Sequence, residues 1–215
     1  MFKKYRVVAL VAGLALGGLA LTDLAMAHHA MGGKTPQDWV GGLLSGLAHP
    51  LIGLDHLSFV VAIGLVSVGQ WRGFLLPVAF SLGAIVGTGG YLQGWDLPGA
   101  EVMISASVVV FGLILAIKYR LDDLVNSGLG TGILAAMGAI AGLCHGYAYG
   151  EAIVGAGMMP LVAYLLGFSV TQLAIALGVY GLVARLGGLS RWLGLAGLAI
   201  AGLGVSFVWQ AVTGA

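Results

Sequence analysis

The sequence predicts an all-α, multi-pass membrane protein: six transmembrane helices following a cleavable signal peptide. Three observations carry that prediction. Of 215 residues, 60% are hydrophobic and only 8% are charged, whereas a soluble domain carries about 25% charged residues; mean hydropathy is +1.04. Apolar runs long enough for a span of about 20 residues recur six times beyond the N-terminal segment, separated by short polar punctuation. Glycine occurs 38 times, far above its usual share of about 7%. Small residues let helix backbones approach closely where lipid supplies no hydrophobic drive between them. The glycines keep no three-residue period, which excludes a collagen-like chain.

Residues 1–27 read as the signal peptide. Lys3, Lys4 and Arg6 form a positive start, Val7 to Leu21 an apolar core, and Ala25-Met26-Ala27 a small-x-small cleavage pattern. A core of about 15 residues is short for a membrane span of about 20. The mature chain, 28–215, is then a single domain whose terminus is periplasmic in a bacterial cytoplasmic membrane. Its spans are expected at 39–68, 73–92, 101–119, 130–156, 160–184 and 191–212, with short connections. With the mature N-terminus outside, Arg72, Lys118, Arg120, Arg185 and Arg191 fall inside and only Lys34 outside, as the positive-inside rule requires. Lys118, Arg120, Arg185 and Arg191 read as topology determinants, and Asp122-Asp123 as a solvated loop pair. Two halves of three spans, each with one histidine motif, make an inverted repeat conceivable, although their sequences show little likeness.

Several function classes drop out. A net charge of +1 without a basic patch gives no sign of a nucleic-acid partner. No Walker motif is present, so the chain does not hydrolyse ATP, and no ATPase subunit is implied. Cys144 is the sole cysteine, which rules out an intrachain disulfide and a thiolate cluster; a buried packing role is expected for it. The seven methionines include one adjacent pair, Met158-Met159, and read as apolar filler rather than copper ligands.

The chemistry concentrates at the histidines, because ionisable groups at membrane depth are costly unless paired, hydrated or liganded. In the first span, His49 and His56 are seven residues apart and share one face of a regular helix, while Asp55 points about 100° away. Pro50 and Gly53 predict a break there, since proline removes a backbone donor and glycine loosens the helix. An unwound segment would let His49, Asp55 and His56 converge, a form tolerated only inside protein or beside a wet cavity. In the fourth span, His145 and Tyr149 share a face, and Glu151 lies about 120° from His145. Gly142, Gly146 and Gly150 form a bare stripe for a neighbouring helix. The simplest assembly packs spans one and four together around His49, Asp55, His56, His145 and Glu151. Neutral imidazoles with carboxylates suit nickel, cobalt or zinc, with loading weakened in acid. The bland alternative is that each histidine hydrogen-bonds a neighbouring carbonyl. His28-His29, with a free terminal amine after cleavage, could capture metal through amine, backbone nitrogen and imidazole, or be an incidental flexible terminus.

At these residues the chain resembles the HupE/UreJ family of nickel/cobalt permeases. His-x5-Asp-His, here His49 to His56, looks like its first-span signature. His145-Gly146-Tyr147-Ala148-Tyr149-Gly150-Glu151 is similar to its fourth-span element. The resemblance runs over essentially the whole chain. It implies a transporter rather than an enzyme, carrying nickel or cobalt inward for hydrogenase, urease or cobalt enzymes, with His49, Asp55, His56, His145 and Glu151 as functional positions. No bound cofactor is implied beyond the transported ion, and the lipid bilayer is the other partner. The competing reading of the same residues is an intramembrane zinc hydrolase, with three histidines and an acid around an activated water. A structural or metal-sensing subunit is a third.

Overall fold

A computed structural model describes residues 35–186 and 190–214. The expected signal peptide and the His28-His29 terminus lie outside the described residues. Helices account for the ordered structure: α1 (Trp39–Ile52), α2 (Leu54–Val66), α3 (Leu75–Leu92), α4 (Ala100–Ile117), a 3-10 turn (Lys118–Arg120), α5 (Asp122–Val125), α6 (Gly128–Glu151), α7 (Met158–Ala184) and α8 (Ser190–Thr213). Five helices, α3, α4, α6, α7 and the body of α8, are each long and apolar enough to cross a membrane. The sixth candidate is α1 plus α2, bent by 77° at their junction. The fourth span ends at Glu151, earlier than expected, because the chain turns over the next residues, with Gly155 at φ 77°.

The bend falls where Pro50 and Gly53 predicted it. Pro50 lies inside α1, and Gly53 at φ −72°, ψ 108° is the extended residue that ends α1 and starts α2. Asp55 then serves the new helix: its carboxylate accepts a hydrogen bond of 2.8 Å from the His56 amide. A negative charge in a first turn also favours the helix dipole.

Packing departs from the expected pairing of spans one and four. The dominant pairs are α1 with α7, α3 with α6, and α4 with α8. The glycine stripe of α6 does seat a neighbour, but that neighbour is α3. A Cβ on Gly142 would lie 2.1 Å from the Phe80 carbonyl oxygen, and one on Gly146 1.9 Å from that of Ala84. Glycines recur on several spans, so the stripe alone did not say which helix it meets.

The same contacts reveal an internal repeat. Gly46 abuts the Tyr164 carbonyl and Phe168 amide, as Gly142 abuts the Phe80 carbonyl and Ala84 amide. Reciprocally, Gly167 abuts the Leu43 carbonyl and Leu47 amide, as Gly83 abuts those of Ala139 and Leu143. One constant spacing carries Gly42, Gly46 and His49 onto Gly138, Gly142 and His145; another carries Gly83 and Ala84 onto Gly167 and Phe168. The α4·α8 crossing matches itself: Gly112 meets the Ala201 amide and Gly197 carbonyl, and Gly197 meets the Ala116 amide and Gly112 carbonyl. With three spans per half, the halves run in opposite senses. Under this match Asp55 falls on Glu151, so the two motifs are one His-x5-acid pattern written twice. The spacing differs between the first and second spans by about the length of α2, which therefore has no counterpart in the second half.

The bundle has two distinct ends. Arg72, Arg120 and Arg185 are exposed at the end where α2 and α4 finish, here called the Lys118 end. Asp38, Asp96, Glu101 and Glu151 are exposed at the other, the Trp39 end. Exposed tryptophans mark both, Trp39, Trp95 and Trp209 at one and Trp71 and Trp192 at the other, as at membrane–water interfaces. Lys118 corrects its sequence reading as one more topology charge. It is fully buried, and its ammonium donates to the carbonyls of Val66, at 2.5 Å, and Val68. It thus caps α2, where a cation suits the carbonyl-rich helix terminus. At the same end, Thr131 donates to Gln70, whose amide donates to Asn126.

Candidate metal centre

Three of the five expected side chains meet. His49 from α1, His56 from α2 and His145 from α6 are 4%, 1% and 0% exposed. The bend folds His56 back so that its ring centroid stands 5.7 Å from that of His49 and 4.9 Å from that of His145. Nδ1 of His56 and Nδ1 of His145 are 2.7 Å apart. Spans one and four therefore touch through imidazoles rather than through packed backbones. The two expected carboxylates are less enclosed than the imidazoles. Asp55 is half-buried at the start of α2, adjacent in sequence to His56. Glu151 is exposed at the Trp39 end, near a cavity of about 450 Å³ lined by Tyr91, Trp95, Val154 and Gly155.

Hydrogen bonds settle the imidazole tautomers. Ser107 donates its hydroxyl to the Ile104 carbonyl at 2.6 Å, so toward His145 Nε2, at 3.0 Å, it accepts. His145 is then protonated on Nε2 and carries its lone pair on Nδ1, to which His56 Nδ1–H donates. Tyr164 donates to the Tyr149 carbonyl at 2.9 Å and accepts from His49 Nδ1–H at 3.0 Å. His49 and His56 thus hold their lone pairs on Nε2. In the neutral form, the one in which imidazole binds a metal, each ring then has a single lone pair to offer.

An aromatic shell fixes the rings. Tyr149 lies edge-on to both His49 and His56, with centroids 4.6 and 4.7 Å away. Phe59 and Phe80 flank His145 at 4.6 and 5.4 Å. The Tyr149 hydroxyl is buried without a hydrogen-bond partner among the described residues. Among the described residues no three His, Cys, Asp or Glu side chains are arranged to close on one ion. With the His56 proton on Nδ1, its hydrogen bond to His145 Nδ1 must break and the His56 ring must turn Nε2 inward before the two imidazoles can share one ion. Cys144 is buried in an apolar cluster with Ile104 and Ala148, the packing role expected of it. Sequence reasoning missed Ser107 and Tyr164. Each is a polar side chain in an apolar span without a motif of its own.

The HupE / UreJ protein family matches residues 14–207 of the chain. The chain belongs to that family. Protein HupE of Rhizobium leguminosarum bv. viciae is 30% identical over 169 residues, covering 76% of this chain and 78% of that protein. No solved structure matches this family member. Both histidine motifs lie within the matched segment.

Proposed function

We propose that this protein is a secondary transporter that takes up nickel or cobalt through the His49/His56/His145 centre. The observation that carries the reading is three fully or nearly buried imidazoles from opposite halves of an inverted repeat, meeting where one span is broken. Transporters commonly bind substrate at such a repeat interface, on discontinuous helices. Imidazole suits nickel and cobalt. Ser107 and Tyr164 act as the outer partners that orient metal-binding histidines. Family membership supports transport over catalysis, and Glu151, one of the two acids the hydrolase reading offers, is exposed at the Trp39 end.

In this proposal the Lys118 end faces the cytoplasm of a bacterial inner membrane, following its positive charge. The Trp39 end, with its exposed carboxylates, faces the periplasm and gathers cations, joined by His28-His29 once a signal peptide has been cleaved. Asp55 and Glu151, the matched acids of the two halves, attend the ion as it enters and leaves the histidine centre. An inside-negative potential supplies about 2.3 kcal/mol per charge per 100 mV, roughly twice that for a divalent ion, so uptake needs no ATP. The imported metal would serve hydrogenase, urease or a cobalt enzyme. The test is accumulation of nickel and of cobalt by cells expressing the wild type, His56→Ala or His145→Ala. Loss of uptake in both variants is expected; wild-type uptake in both would remove the histidines from the pathway.

A further inference from the structure

Gln172 is 1% exposed, and neither its amide oxygen nor its amide nitrogen has a hydrogen-bond partner among the described residues. Ser81 is 4% exposed, with a hydroxyl in the same condition. Buried polar groups ordinarily find hydrogen-bond partners, so two such groups together call for a ligand. Ser81, like Ser169 on α7, departs from the usual behaviour of a helical serine. Ser67, Thr88 and Ser105 return their hydroxyls to the carbonyl one turn back, the ordinary habit of buried serine and threonine in helices. Ser81 does not.

The two residues stand at one level of the bundle. Gln172 continues the face of α7 that carries Tyr164 and Phe168, four residues beyond Phe168 toward the Lys118 end. Ser81 is three residues from Ala84 in the same direction along α3. Ala84 and Phe168 belong to one buried cluster with Tyr149 and Tyr164, and α3 packs against α7. At about 1.5 Å per residue, Ser81 and Gln172 sit one turn beyond that cluster, on the side away from the Trp39 end. The repeat sharpens the contrast. The second-half counterpart of Thr88 is Gln172, and the Thr88 hydroxyl is fully engaged by the Ala84 and Gly146 carbonyls at 2.9 and 2.8 Å. Thr88 closes the Trp39 side of the centre; Gln172 leaves the opposite side with unused donors and acceptors.

We infer that Gln172 and Ser81 form a second, oxygen-donor station that receives the divalent cation, with part of its water shell, as it leaves the histidines. This rests on the transport reading and extends it: a nitrogen site that selects is followed by a hard-oxygen site that binds weakly and releases. Amide and hydroxyl oxygens are weak ligands for nickel and cobalt beside imidazole, which suits a relay.

The test uses the full chain in proteoliposomes with nickel alone as the probe. It measures nickel uptake, equilibrium nickel binding and melting temperature for wild type, Gln172→Leu and Ser81→Ala. The expected result for Gln172→Leu is wild-type nickel binding, an unchanged or raised melting temperature, and uptake slowed at least tenfold, with a smaller slowing in Ser81→Ala. Uptake by Gln172→Leu within twofold of wild type overturns the station. So does a fall in melting temperature and binding together with uptake, which would make Gln172 a structural residue. A wild type that binds and moves no nickel overturns the transport reading itself, and the station with it.

Discussion

Gly53 has a backbone that any residue could adopt, yet it cannot carry a side chain. A Cβ there would lie 2.5 Å from Cδ2 of the His56 ring. Gly53→Ala is therefore expected to push His56 from His145 and slow metal uptake about tenfold or more, on the order of 1.4 kcal/mol, with the fold retained; uptake assays beside a melting curve check both halves of that statement. Tyr164→Phe removes the group that His49 and the Tyr149 carbonyl share. Binding titrations should show metal affinity down by about 10–100-fold, as for other lost outer partners, and stability reduced by about 1–3 kcal/mol for the groups left unpaired. Protons and metal compete for the same lone pairs, so acidification should weaken equilibrium nickel binding. A titration whose apparent affinity holds constant or rises as pH falls would contradict imidazole ligation. At this scale the sequence named the three histidines because charge-capable groups are rare in so apolar a chain. It could not place the carboxylates, since helix phase fixes a direction only while the helix stays regular.

Among helices, glycine position decides which faces meet. Gly146→Ala would bring a Cβ within 1.9 Å of the Ala84 carbonyl oxygen, forcing α3 and α6 apart, and a marked fall in melting temperature is expected. Gly132, on the same helix, has nothing among the described residues within 4 Å of the corresponding position. Gly132→Ala should be neutral or gain up to about 1 kcal/mol from helix propensity. Comparable losses in both would mean that close approach is not what these glycines serve. The span limits were legible because bilayer thickness sets one length for every apolar run. The break in the first span was legible too, from Pro50 and Gly53. Helix pairing was not, because Gly42/Gly46, Gly138/Gly142/Gly146 and Gly112 all advertise a bare face without naming its occupant.

For the whole molecule, the repeat explains why the histidines meet at all: His49 and His145 hold equivalent positions in halves related by inversion, so both approach the same axis. The sequence held a trace of this in the shared His-x5-acid spacing from His49 to Asp55 and from His145 to Glu151. The surrounding residues differ too much for the trace to stand out. Lys118 was misread for a related reason, since a lysine at the end of an apolar run looks alike whether it faces water or caps a neighbouring helix. Lys118→Ala should leave the Val66 and Val68 carbonyls without their cation, costing about 1–3 kcal/mol, measurable as a lowered melting temperature.

All three dominant helix pairs, α1·α7, α3·α6 and α4·α8, join one half of the chain to the other. Neither half keeps a major interface to itself. In assembly terms the protein resembles a dimer of unlike subunits that share a peptide chain, and the segment from Tyr119 to Ser127, besides its contacts through Asn126 and Val125, raises their effective concentration. Cut there and expressed as two polypeptides, the pieces should each be degraded alone and recover a stable complex only when made together.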